Sequence, residues 1–114
     1  MRQILSSGSV KAFSINQNDI LHSVKQTSYK AKELFSEIEE IWLFGSCATG
    51  NSTGMSDVDI LIVANYDIAN PIERIKPYYF FFSDCLDIAC DILVIKPEEK
   101  SLYGNILSTA VRLV

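Results

Sequence analysis

The sequence has too little cysteine, and in the wrong arrangement, to be held together by it. Cys47, Cys85 and Cys90 form an odd set with no CxxC pair, which argues against both a disulfide framework and a thiolate zinc site. A basic excess is also missing. Ten Lys and Arg against 14 Asp and Glu leave a net charge of -4, whereas non-specific nucleic-acid binding rests on Lys and Arg neutralising phosphates. Free RNA or DNA is therefore not the expected partner. Neither Met1-Arg2-Gln3-Ile4-Leu5-Ser6 nor any later segment holds an apolar run of signal or membrane-helix length, so a cytosolic protein without membrane attachment is expected. Repeats, linkers and low-complexity tracts are absent. The 114 residues leave room for one domain and no second. At this size the core is adequate but not generous, so an apolar face covered by a partner chain would add stability.

What is present is a set of periodic apolar segments. From Gln17 to Ile38, Ile20, Leu21, Val24, Ala31, Leu34, Phe35 and Ile38 recur mostly at helical spacing between Lys and Glu, predicting a long first helix. Asn16 or Asn18 is its candidate cap, and Thr27-Ser28 a soft spot at which it would bend. Before it, residues 1–16 read as an arm, with a short strand expected at Ser9 to Phe13. Ile41 to Phe44, Asp57 to Ala64 and Cys90 to Ile95 are short apolar runs that read as buried strands. Asn70-Pro71 is a helix start, with apolar residues continuing to about Ala89. Pro77 should split that helix or restart it, because proline lacks a backbone donor and clashes with the preceding turn. Lys96-Pro97-Glu98-Glu99 opens a last helix to about Leu107, and Ala110 to Val114 reads as a short strand or tail. Strands alternating with helices define an α/β (α+β) chain with helices packed on a small mixed sheet.

Charge on these strands is the informative feature. Asp57 and Asp59 are two apart at the start of an apolar strand, so the period of two points both carboxylates to one side. Carboxylates in such a run are costly unless a cation or hydrogen bonds compensate them. Asp91 opens the next apolar run in the same way. A cluster of Asp57, Asp59 and Asp91 would supply hard oxygen ligands for two Mg²⁺ ions and an in-line displacement at phosphorus. In this scheme Asp57 and Asp59 bind both ions, while Asp91 binds the catalytic one and helps lower the pKa of the attacking hydroxyl. Gly45-Ser46 ends the preceding strand, where a missing side chain lets a phosphate approach the backbone and a hydroxyl can bond its oxygen. A helical turn beginning after Ser46 would add free N–H groups. The overall acidity does not exclude a triphosphate, because carboxylate-bound divalent cations turn such a site into one that attracts phosphate.

Gly45-Ser46, ten residues, then Asp57-Val58-Asp59 resembles the signature of the minimal nucleotidyltransferase (MNT) family of the DNA polymerase β-like superfamily, with Asp91 where that family has its third carboxylate. The likeness extends over most of Gln17 to Val114. It implies a single nucleotidyltransferase domain over residues 1–114, with residues 1–16 as its N-terminal arm. It also implies Mg²⁺-dependent transfer of a nucleoside monophosphate, AMP from ATP above all, to a hydroxyl acceptor. The implied catalytic and metal-binding residues are Asp57, Asp59 and Asp91; the implied nucleotide-binding residues are Gly45, Ser46 and Ser56. Such modules often work beside a small helical HEPN-type protein, as antitoxins that adenylylate a tyrosine on that partner; a homodimer is the other expected assembly. The family commonly carries a basic residue before the glycine of this loop, where this chain has Thr49-Gly50. Arg74, Lys76, Lys96 and Lys100 are the candidates to replace that charge. Two other readings remain: a non-catalytic antitoxin that neutralises its partner by occupying it, and a transferase acting on a small molecule such as an aminoglycoside.

The remaining residues read more plainly. His22 is expected on the helix surface without a role. Cys47, Cys85 and Cys90 are expected as small buried hydrophobes, and Ser56 as a cap of the turn before Asp57. Lys30, Lys32, Glu33, Glu37, Glu39 and Glu40 read as the solvated face and end of the first helix, with Leu34 and Phe35 on its apolar side. Tyr78-Tyr79-Phe80-Phe81-Phe82 cannot be buried by one face of one helix, so some of its rings should be exposed, on the surface or at a partner interface.

Overall fold

The computed structural model describes residues 17–45, 58–66, 68–86 and 88–114. Helix α1 (Gln17–Leu34) leads into strand β1 (Ile38–Phe44), followed by β2 (Val58–Ala64), helix α2 (Pro71–Cys85) and β3 (Cys90–Ile95). A 3-10 helix (Pro97–Tyr103), a single-turn helix α3 (Gly104–Leu107) and the two-residue strand β4 (Val111–Arg112) complete the chain. The sheet runs β3-β2-β1-β4. β1 is antiparallel to β2 and to β4, whereas β2 and β3 are parallel and joined through α2. This is the expected mixed sheet with helices packed on it.

Both helices cover one face. α1 buries Ile20, Val24, Thr27, Ser28 and Ala31, positions that recur with the helical period and form one stripe. Thr27 and Ser28 are therefore core residues, not a break: the Ser28 hydroxyl donates to the Val24 carbonyl at 2.8 Å, which satisfies it inside the helix. Against this stripe lie Ile41 and Leu43 of β1 and Val58, Ile60, Ile62 and Ala64 of β2. Phe35 joins the two helices through edge-on contacts with Tyr78 at 5.1 Å and Phe81 at 5.8 Å. Complete burial of Phe82 contributes about 1.5–3 kcal/mol by area.

α2 starts as its sequence requires. The Asn70 carboxamide accepts from the amides of Ile72 at 2.9 Å and Glu73 at 3.3 Å, with Pro71 in the first turn. The helix then passes Pro77 without breaking and ends at Cys85, before the expected Ala89. Pro77 is exposed, so the carbonyl it deprives of a partner lies on the solvent side, where water can serve it. Of the aromatic run, Tyr78 and Phe82 are buried, whereas Tyr79 and Phe80 are exposed.

Several other expectations change. Glu39 and Glu40 belong to β1, not to the end of α1, and Leu34 is 63% exposed. Cys85 is exposed, while Cys90 is buried as expected. The last helix is divided into a 3-10 segment and one α-turn, and β4 confirms a short terminal strand. His22 lies on the surface of α1. The arm, its expected strand and Cys47 lie outside the described residues.

Candidate active site

β2 is covered on both faces, and the alternation of its residues decides where charge can go. Val58, Ile60 and Ile62 face the helices, while Leu61 and Val63 pack with Ile95 in a second cluster against Trp42, Phe44, Leu93, Tyr103 and Leu107. Asp59 has the parity of Leu61 and Val63, so it lies on the second face, at the end of β2 remote from the 3-10 helix. Its direct partner across the parallel register is Asp91, with Leu61 opposite Leu93 and Val63 opposite Ile95. The two aspartates thus stand side by side on one face. Neighbouring strands are about 4.8 Å apart, close enough for two carboxylates in register to share one divalent cation. Asp59 is half-buried and Asp91 exposed. Phe44 of β1 flanks Asp59 on its other side as its antiparallel partner.

Gly45 follows directly, with φ +78°. A Cβ built there would clash with Oδ2 of Asp59 and lie 3.1 Å from its Cγ. The space a side chain would take is therefore filled by the Asp59 carboxylate. Ser46, Ser56 and Asp57 lie outside the described residues, as does Thr49. Among the described residues there is no group of three potential metal ligands; of the three expected carboxylates, two are described, and these two are in register.

The basic residues proposed to replace the missing loop cation are elsewhere. Lys100 pairs with Glu40 at 2.9 Å, and Glu40 lies opposite Val63, four residues from Asp59 and about 13 Å along the strand. The Trp42 indole donates to the same carboxylate at 2.8 Å. Burial pushes the Glu40 carboxyl up, but the hydrogen bonds from Lys100 and Trp42 and the charges of Lys100 and Arg112 outweigh it and hold the group below its ordinary range. Arg74 and Lys96 lie at that same far end, around Tyr66. The Arg74 guanidinium donates to the Tyr66 hydroxyl at 2.7 Å and to the Ala69 carbonyl at 2.9 Å, and the Lys96 ammonium lies 5.7 Å from the ring centre. Burial pushes the Tyr66 hydroxyl up, against the opposing charge of Arg74. Lys76 pairs with Glu73 at 3.4 Å on the exposed side of α2.

Arg112 was not singled out by sequence. It lies opposite Trp42 on β4, which puts it on the carboxylate face, two strands over and about 12 Å from Asp59. Its Nε donates to the Val114 carbonyl at 2.9 Å. Nothing local marks it, because a two-residue strand has no period to read.

The described part of the site is thus a strand pair that presents two carboxylates in register beside a glycine turn. The chain belongs to the family described as Nucleotidyltransferase domain, whose model matches residues 24–113. A Sulfolobus solfataricus structure described as a nucleotidyltransferase is 25% identical, with a TM-score of 0.65, and the match covers 94% of this chain and 90% of that one. A toxin–antitoxin complex crystallised with AMP-PNP is 23% identical with a TM-score of 0.57, covering 88% of this chain and 73% of that one. A variant MntA–HpeT toxin–antitoxin is 24% identical with a TM-score of 0.54, covering 88% and 72%. The last two are likenesses of fold. No curated protein matches the sequence. Among the described residues no helix is long and apolar enough to cross a membrane.

Proposed function

We propose that the chain transfers AMP from ATP to a hydroxyl on a partner protein, using Asp57, Asp59 and Asp91 as Mg²⁺ ligands and Gly45, Ser46 and Ser56 around the nucleotide phosphates. The observation that carries this reading is the Asp59–Asp91 pairing: two like charges held in direct register on one face are costly alone and become favourable around a divalent cation. Bound Mg²⁺ would supply charge stabilisation at the α-phosphate and lower the pKa of the attacking hydroxyl. The acceptor oxygen forms a bond to the α-phosphorus, the bond from that phosphorus to the bridging oxygen breaks, and pyrophosphate leaves. In this reading Asp91, exposed on β3, takes up the hydroxyl proton. Phe44 and Gly45 bound the Asp59 side of the site and restrict where its carboxylate can turn.

A helical partner is the favoured acceptor. Ile72, Tyr79 and Phe80 are exposed on α2, the last two with their rings in edge-on contact at 5.8 Å, and toxin–antitoxin complexes are among the fold neighbours. Cytosolic placement and a single domain over residues 1–114 with residues 1–16 as an arm belong to the same proposal. Arg112 shares the carboxylate face by register, but its charge acts on Glu40, so it is not a substitute for the cation that Thr49 lacks.

The test is incubation of the purified protein, alone and with whatever co-purifies, with α-labelled ATP and Mg²⁺ beside an Asp57→Ala/Asp59→Ala control. Label transferred to protein by the intact site alone is the expected result. Retained partner binding without transfer would favour the second reading, a non-catalytic antitoxin; that reading is favoured by Thr49 and by the remote positions of Arg74, Lys96 and Lys100.

A further inference from the structure

We infer that Gly45 is a positioning residue for Asp59: the missing Cβ at Gly45 is the space in which the Asp59 carboxylate is held. Three observations converge. Gly45 ends β1 immediately after Phe44, the register partner of Asp59, so the two residues are brought together by strand pairing and not by a loop. A Cβ at Gly45 would clash with Oδ2 of Asp59 and press on Cγ at 3.1 Å, whereas its distance to the Asp59 Cβ, 3.4 Å, is ordinary contact. Among the described residues, only the carboxylate is in the way. The backbone of Gly45 has φ +78°, a conformation L residues rarely adopt, so the chain keeps its close approach to Asp59 through a geometry that glycine tolerates.

The physical consequence is a directional constraint. With its carboxylate lodged over the Gly45 backbone, the half-buried Asp59 beside Phe44 and opposite Asp91 has fewer rotamers open to it before any cation arrives. Ordering ligands in advance removes part of the entropy a site must otherwise lose on binding. The effect on metal affinity rests on the proposed role of Asp59, whereas the steric coupling between the two residues does not.

The test separates these two. Thermal unfolding of the full chain is measured for the wild type, Gly45→Ala, Asp59→Ala and the double variant, in EDTA and in MnCl₂. Backbone strain at φ +78° lowers Tm equally in both backgrounds, so it cancels in the cycle. The expected result is that Gly45→Ala lowers Tm more when Asp59 is present, whose carboxylate must turn away from the added Cβ, than in the Asp59→Ala background. Equal losses would overturn the inference. Should Gly45→Ala fail to fold, adding Asp59→Ala is expected to restore folding; a double variant that stays unfolded while Asp59→Ala alone folds would overturn it as well. In MnCl₂, wild type is expected to gain Tm and Gly45→Ala to bind Mn²⁺ on the order of 10–100-fold more weakly. A wild type indifferent to Mn²⁺ counts against the metal-binding reading alone, and the EDTA cycle still decides the role of Gly45.

Discussion

Asp59 and Asp91 are direct partners in the parallel register of β2 and β3. Like charges so placed repel across roughly the strand spacing. Asp91→Asn is therefore expected to raise Tm in EDTA by on the order of a few degrees. In the labelled-ATP assay with Mg²⁺, the same variant should lose on the order of 100-fold or more of its turnover. Unfolding curves in EDTA and the transfer assay check the two halves separately, and wild-type turnover would remove Asp91 from the site.

Tyr78 and Glu37 tie α2 to the segment that enters β1, with the phenol donating to the carboxylate at 2.6 Å. Burial, then the hydrogen bond to Glu37 and its charge, push the phenol well above its ordinary 10.0. A raised folded-state pKa means the contribution is complete below pH 10 and is lost as pH rises beyond it, because the unfolded chain ionises first. Tyr78→Phe is expected to cost about 1–3 kcal/mol near neutrality. It should also flatten the fall of stability above pH 10, a change read by denaturant unfolding at several alkaline pH values.

Glu40 runs in the opposite direction. Its pKa is lowered from 4.5, so its stabilising share is present above that value and disappears as pH falls through the folded-state pKa. Lys100→Met removes both the ion pair and a hydrogen bond and leaves the opposing burial effect in place. The Glu40 carboxyl should then titrate at higher pH, with a stability loss of about 0.5–1 kcal/mol near neutrality. Carboxyl titration by NMR tests the shift directly; an unmoved Glu40 would show that Lys100 is not its main partner.

Pro77 crosses α2 without interrupting it, and the helix carries the missing hydrogen bond as a cost. Pro77→Ala should stabilise the protein by about 1–2 kcal/mol, the restored helical hydrogen bond exceeding the entropy gained by the unfolded chain. Equilibrium urea unfolding would show it as a higher midpoint at unchanged slope. A lower midpoint would mean that the proline ring contributes packing that its exposure does not reveal.

Much of the fold was legible because local patterns agreed with it. The 3.6-residue recurrence of Ile20, Val24 and Ala31 marked α1, Asn70-Pro71 marked the start of α2, and the Val- and Ile-rich runs marked β2 and β3. Where reading failed, a tertiary contact had overridden a local preference. Glu40 looked like a helix-end charge because its partner Lys100 is 60 residues away. Thr27 and Ser28 looked like a weak point because the Ser28 bond to Val24 and the surrounding core are invisible in composition. Pro77 looked like a break because its exposure depends on how α2 lies on the sheet.

The site divides in the same way. Sequence alone raised the expectation that Asp59 shares a face with Asp57 by alternation, and determined that a glycine ends the strand before it, since both follow from chain geometry over a few residues. Only the tertiary structure decided that Asp59 stands opposite Asp91, that its carboxylate occupies the place of a Gly45 side chain, and that Arg74, Lys96 and Lys100 gather at the far end, where the charge of Arg112 also acts on Glu40. Strand register and sheet order are settled by packing between segments distant in sequence, and a period of two looks the same after every two-residue shift along the strand.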